Sequence, residues 1–326
     1  MNRILEFLAR HAMTAMASGV FIGLLVPPLA ALLNPLLAPA VWLLLVISLL
    51  RVDAADSLAH ARRPLRLAAL LIWSLVVTPM VMFGLLAWSP LPSGVAGAMV
   101  LAAGSSPLIS TPALGLMMGL DGALILVILL GATLLVPLTL PSVALVLLGI
   151  EMEVSALELM GRLGGLIGSA LLVAFACRRI WGAAAFRQIS GQLDGSAVFL
   201  LIVFAVAIMD GLTARLLAEP GFVLFVVFLS FAVYVGLIIL TALTLALLVP
   251  SWGRRVVLSV GFAAGCRNLA IILAVLPAGV DPDMILYFAA GQFPIYIMPA
   301  VLRPIMLRLL GNKTISGSMP DEGPEE

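Results

Sequence analysis

The sequence predicts an all-α membrane protein of ten transmembrane helices, arranged as two inverted repeats of five. Three observations carry that expectation. Of 326 residues, 63% are hydrophobic and only 10% charged, with a mean hydropathy of +1.24; soluble domains are about 25% charged. Apolar runs bounded by charges or by Pro and Gly give ten segments near the ~20 residues that cross a hydrocarbon core. Arg and Lys collect in alternate loops, as the positive-inside rule requires.

Taken in order, the segments are 12–33, 38–51, 65–88, 94–118, 122–149, 159–177, 194–213, 221–249, 255–277 and 284–310. The first follows Arg3 and Arg10 and is too long for a signal-peptide core, so it reads as a retained helix. The second is short and needs tilt, shielding, or extension into 52–60. With the N-terminus inside, the inner loops hold Arg51, Arg62, Arg63, Arg66, Arg178, Arg179, Arg187, Arg254, Arg255, Arg308 and Lys313. The outer loops hold Arg162, Arg215, Glu151, Glu153, Glu158, Glu219, Asp281 and Asp283. Both termini are therefore expected in the cytoplasm, in a multi-pass protein of a cell membrane of the bacterial inner-membrane kind. Residues 1–150 form the first repeat and 151–310 the second; the tail 311–326, ending "SGSMPDEGPEE", reads as disordered and solvated. Trp42, Trp73, Trp88, Trp181 and Trp252 suit interfacial belts.

Two segments are interrupted at matching places in the two halves. The fourth carries Ser106-Pro107 and Thr111-Pro112; the ninth carries Gly265-Cys266-Arg267-Asn268. Proline removes an N–H and clashes with the preceding turn. Non-helical backbone at membrane depth survives only where protein or a water-filled cavity covers it. Paired interruptions therefore point to a transporter's midplane site, although Pro and Gly are also frequent in ordinary membrane helices. Arg267 is the sharpest feature: an Arg at the centre of a membrane helix costs about 2.5–3.5 kcal/mol on insertion scales. It needs helix-end carbonyls, hydroxyls, Asn268 or an anionic solute. Ser105, Ser106, Ser110 and Thr111 place four hydroxyls around the other break, as a solute-facing cluster or as packing hydroxyls. Ser74 and Gln292 are weaker candidates. Asp194 and Asp210 bracket the seventh segment, as interfacial groups or as proton sites. His11 and His60 fall at segment ends, and Met117-Met118 reads as packing.

At these residues the chain resembles the bile acid:sodium symporter family of the bile/arsenite/riboflavin transporter superfamily. "RRPLRLAALLIWSLVVTPM" (62–80) is similar to its third helix, "GSSPLISTPALGLMMGLDGAL" (104–124) to its first crossing helix, and "GFAAGCRNLAIILA" (261–274) to its second, where Gly265 and Asn268 match Gly-x-x-Asn. The resemblance implies a core domain of helices 3–5 and 8–10, with helices 4 and 9 broken and crossing, beside a panel of helices 1, 2, 6 and 7. It also implies sodium sites, and here the chain departs. The family's glutamate and glutamine in helix nine fall on Ala263 and Arg267, the helix-three glutamine on Ser74, a Ser-Asn pair on Thr111-Pro112, and two hydroxyl positions on Ile125 and Leu129. Sodium coupling is accordingly not expected, proton coupling stays open, and Arg267 either stands in for the ion or grips an anionic solute.

The reading is a secondary transporter of a small organic, anionic solute working by alternating access. The substrate-binding candidates are Arg267, Asn268, Ser105, Ser106, Ser110, Thr111, Ser74 and Gln292. The alternative is a membrane sensor or scaffold with a transporter fold. An intramembrane enzyme needs a paired Ser/His or Asp/Asp at one depth, and the histidines and aspartates fall at segment ends. No basic tract with aromatics supports nucleic-acid binding. The two cysteines, Cys177 and Cys266, suggest neither a disulfide nor a metal site, and no cofactor is expected.

Overall fold

Proline placement decides where the helices start and stop. In the computed structural model, which describes residues 5, 8, 12–51, 63–148, 155–277 and 279–311, no strand occurs among the described residues. The helices are α1 (Ala12–Leu25), α2 (Pro27–Leu33), α3 (Leu37–Arg51), α4 (Pro64–Ile72), α5 (Thr78–Leu86), α6 (Ser93–Gly104), α7 (Thr111–Met117) and α8 (Gly122–Leu148). There follow α9 (Ala156–Gln188), α10 (Ser190–Ala207), α11 (Leu212–Ala218), α12 (Pro220–Leu248), α13 (Arg254–Gly265), α14 (Leu269–Leu273), α15 (Pro282–Ala290) and α16 (Gln292–Leu309). Seven continuous stretches among the described residues are long and apolar enough to cross a membrane: Pro27–Leu50, Pro64–Leu86, Gly122–Leu148, Ala156–Gly182, Ser190–Ala218, Pro220–Leu248 and Pro282–Leu309. The chain is a multi-pass membrane protein.

The first boundary differs from the sequence expectation. The chain leaves the helix at Val26 (φ −125°, ψ 71°), because the residue before a proline is pushed out of the α region. The expected gap at 34–37 is instead a 3₁₀ turn, Asn34–Leu36, that continues α2 into α3. The second segment is thus lengthened backwards to Pro27. Its other proposed extension, 52–60, lies outside the described residues, as do His11, His60, Arg62, Glu151, Glu153 and the tail beyond Gly311. The sixth segment is also longer than expected: α9 carries Arg178 and Arg179 on the helix and kinks only at Gly182 (φ 77°).

Polar side chains mark two ends. Arg178 Nη1 donates to Leu49 O and Leu50 O (3.4 Å each), the last carbonyls of α3. The Arg66 guanidinium lies 4.1 Å from the Trp252 ring centroid, and Arg255 Nη2 donates to Leu120 O (3.2 Å). About 24 Å along α9 from Arg178, sixteen residues at about 1.5 Å each, Arg162 pairs with Glu158 (2.6 Å) and donates to Val275 O (3.3 Å). At that end Arg215 pairs with Asp283, and Asn34 Nδ2 donates to Asp210 Oδ2 (2.9 Å). Between the ends, α10 packs on α1 and α3, α9 on α3, α13 on α12, and α6 on α5 and α15. Close approach replaces side-chain volume at α12–α13: a Cβ on Gly265 would meet Ile238 Cγ1 at 2.4 Å and Tyr234 O at 2.7 Å.

Candidate functional site

The two interrupted segments come apart where their sequences say they should. α6 ends at Gly104, Ser105 is extended (φ −78°, ψ 166°), and α7 starts at Thr111 with a proline in its first turn. α13 ends at Gly265, and Asn268 opens α14 as its N-cap, with Oδ1 accepting the Ile271 N–H at 3.4 Å. Each break would leave main-chain groups unpaired in an apolar interior, where every such group costs free energy. They pair with each other. Leu108 N donates to Cys266 O and Asn268 N donates to Ser106 O, both at 2.8 Å, flanking an antiparallel bridge between Pro107 and Arg267. Pro107 has no N–H to contribute, and its neighbours on either side supply the two bonds.

Arg267 is 3% exposed, and its guanidinium threads this junction. Nε donates to Ala264 O (2.7 Å), Nη1 to Ser105 O (2.7 Å) and Ser74 Oγ (2.8 Å), and Nη2 to Thr78 Oγ1 (3.1 Å). Four of its five N–H groups are thereby used inside the protein. No ion pair to it occurs among the described residues. The hydroxyls that hold it come from the third segment, not the fourth. Ser74 sits in a π-helical turn, Trp73–Val77, closed by the Thr78 N–H donating to Trp73 O. Pro79 cannot donate back into the preceding turn, which favours such a widened turn. Thr78 Oγ1 donates to Ser74 O (2.7 Å), with Ala103 O 2.9 Å away as a second acceptor.

The other expected site residues divide. Ser105 is spent locally: its Oγ donates to Ala102 O (2.9 Å) and its carbonyl takes Arg267. Ser106 Oγ, Ser110 Oγ and Asn268 Nδ2 are buried with no hydrogen-bond partner among the described residues. Thr111 Oγ1 neighbours the Cys266 thiol but forms no bond of normal geometry. Gln292 is buried, and its amide donates to Phe288 O (3.1 Å), one turn back along the chain. Asp210 is exposed and bonded to Asn34; Asp194 is half-buried on α10, and it too has an interaction. Sequence reasoning missed Thr78 and Tyr234, whose hydroxyl shares a 2.7 Å hydrogen bond with Cys266 Sγ. The signal for Thr78 is its i+4 spacing from Ser74, which stacks the two hydroxyls on one helix face.

Two cavities adjoin the junction. The larger, about 350 Å³, lies between α3, α9 and α8 and reaches Ile109 in the first break. Its wall is apolar (Leu45, Leu49, Leu129 and Phe175 among others), relieved by Ser48, Thr133 and, at the cationic end, Arg178. The smaller, about 20 Å³, touches Arg267, Ser230, Tyr234 and Tyr287 and has room for about one water. No group of three or more metal-ligating side chains occurs among the described residues. Compared with protein-family models and with curated proteins, the chain matches none.

Proposed function

We propose that this protein is a secondary-active transporter of a small organic, anionic solute, of the bile acid:sodium symporter type. Ten helices would cross the membrane as two inverted repeats, with both termini cytoplasmic. The segments containing α4–α8 and α12–α16 form the core; α1–α3 and α9–α11 form the panel. Core and panel rock about the junction, exposing it to one side and then the other.

The observation that carries this reading is the junction itself. Two broken helices bond to each other through their main chains and leave Ser106 Oγ, Ser110 Oγ and Asn268 Nδ2 buried and unpaired. An unpaired buried polar group costs about 1–3 kcal/mol, and a site that binds a polar solute part-time recovers that cost on binding. The 350 Å³ cavity supports the same reading. It lies between α3, α9 and α8 with Arg178 in its wall, whereas at the carboxylate end Arg162 and Arg215 tie α9 to Val275 and α11 to Asp283. A cavity on one side of the junction and polar ties on the other are what one half of an alternating-access cycle would present. With four of its N–H groups engaged, Arg267 supplies field and scaffold, and solute recognition falls to Ser106, Ser110, Asn268 and Thr111.

Uptake into proteoliposomes tests it, using labelled monocarboxylates that carry an apolar body. Saturable uptake that Ser110→Ala reduces is the expected result. Absence of uptake, together with absence of any solute-induced rise in Tm across the panel, overturns it.

A further inference from the structure

Helices α4 and α13 both begin at the end marked by Arg66, Arg178 and Arg255, and they meet through a small apolar cluster that includes Leu70, Leu124, Leu245 and Val257. A helix N-terminus is the positive end of the backbone dipole and ordinarily attracts acidic residues. Here neither first turn holds an acid, and neither N-cap side chain accepts a backbone N–H. Arginines stand there instead: Arg63 and Arg66 at the start of α4, Arg254 and Arg255 at the start of α13. Arg255 is engaged with Leu120 O (3.2 Å), and the Arg66 guanidinium lies 4.1 Å from the Trp252 ring centroid. The ring holds Arg66 without satisfying its edge: Nε and Nη2 are buried with no hydrogen-bond partner among the described residues. The carboxylate that acts on Arg66 is Asp121, whose Oδ1 already accepts the Leu124 N–H at 3.0 Å. No ion pair to any of the four arginines occurs among the described residues.

We propose that these two helix starts form a binding site for the phosphate headgroup of an anionic phospholipid. Arg66, stacked on Trp252, is its anchor; Arg63 and Arg254, both exposed, are its outer contacts. A guanidinium grips phosphate oxygens in pairs, and Arg66 has two adjacent donors to offer. Arg66 is half-buried, so a turn of its guanidinium brings those donors to the surface without moving the backbone. The surroundings favour a lipid over a free phosphate. Leu65 (87% exposed), Leu247 (80%) and Leu248 (73%) lie close to the arginines and Trp252 in sequence and offer apolar surface to acyl chains. The plainer account is that the arginines satisfy the charge bias of membrane loops and attract an anionic surface diffusely. The two accounts differ in what they demand. Diffuse attraction depends on how many cations lie near the surface and hardly on which one is removed; a site depends on Arg66.

Thermal melts of the full chain in a zwitterionic detergent separate them. Tm is followed as phosphatidylglycerol is added to the micelles at fixed ionic strength, with phosphatidylcholine and inorganic phosphate as parallel series. Phosphatidylglycerol should raise Tm saturably, as expected for a ligand that binds the folded state, and the other two should not. Arg66→Gln should raise the half-saturating lipid fraction at least about tenfold, the effect of losing one charge-assisted bond. Arg179→Gln, which removes an exposed arginine of α9 at the same end, should leave it unchanged. Equal losses in the two variants would show diffuse attraction and overturn the proposal. So would a saturable rise with inorganic phosphate equal to that with the lipid, which would mark a free-anion site, and so would no response to phosphatidylglycerol. If Arg66→Gln is not recovered, Arg254→Gln decides, because that exposed side chain can be shortened without opening the core. It should weaken the lipid response at an unchanged lipid-free Tm, and an undiminished response overturns the proposal. No arm depends on transport, so failure here leaves the transporter reading standing.

Discussion

Asn268 and Ser106 are joined across the two helix breaks by one main-chain bond, Asn268 N to Ser106 O at 2.8 Å, while the side-chain donor of the first and the hydroxyl of the second both end without a partner. Structure is thus supplied by the backbone, and the proposed function assigns recognition to the side chains of the same two residues. That separation makes the side chains testable without dismantling the junction.

Asn268→Ser retains an oxygen able to cap α14 and removes the amide donor. Stability should change by less than about 1 kcal/mol, because serine and asparagine are comparable N-caps, while uptake falls at least about tenfold, the effect of losing roughly 1.4 kcal/mol of binding. Ser110→Ala should leave Tm unchanged or slightly raised, since it deletes an unpaired buried hydroxyl. Parallel losses of stability and uptake in both variants would assign these residues to packing.

Uptake should be indifferent to sodium. Replacing it with choline at fixed pH should leave the initial rate unchanged, because a guanidinium bonded to four oxygens already occupies the junction. Arg267→Lys should keep most uptake and Arg267→Gln little. A native protein that stops transporting in choline would refute this.

Gly265→Ala should lower Tm and folded yield. The added methyl would meet Ile238 Cγ1 at 2.4 Å and Tyr234 O at 2.7 Å, and the backbone oxygen cannot swing aside. Overpacking of this kind costs about 1–3 kcal/mol. Shortening the neighbour by Ile238→Ala should recover part of the loss, which thermal melts of the single and double variants would measure.

The pair Arg215–Asp283 joins α11 to α15 with side chains 26% and 21% exposed. Such burial places it between exposed pairs, worth about 0–1 kcal/mol, and buried ones, whose breakage costs about 3–5 kcal/mol. Arg215→Ala and Asp283→Asn should each destabilise by about 1–3 kcal/mol, and the double variant by little more than either. Additive losses in that double-mutant cycle would show that the two residues do not act together.

Much of the helix layout was legible because proline and glycine leave local marks. Pro107, Pro112 and Gly265 predict interruptions that the structure contains. The first boundary was misread because two proline signals compete. Pro27 at the start of α2 forces Val26 out of helical geometry, whereas Pro35 falls in the first turn of a 3₁₀ segment, where its missing N–H does no harm. At the site, the sequence singled out Arg267 as an anomaly but not its partners. Ser74 was anticipated and Thr78 was not, since helical spacing alone cannot say which face meets a residue 189 positions away; the π-turn shifts that face by one residue, and no composition signal marks it. Gln292 bonds to the turn behind it, as a buried amide in an apolar helix can, and no sequence signal gives that partner.

The bridge between the two breaks consists of amides and carbonyls that any non-proline residue supplies at 106, 108, 266 and 268. Its geometry is therefore indifferent to the side chains that decorate it. A chain carrying such a joint can exchange the side chains around it without first re-solving how two half-helices meet inside a bilayer. Which groups surround the joint becomes a matter of single substitutions, and the pairing of the two half-helices stays unchanged.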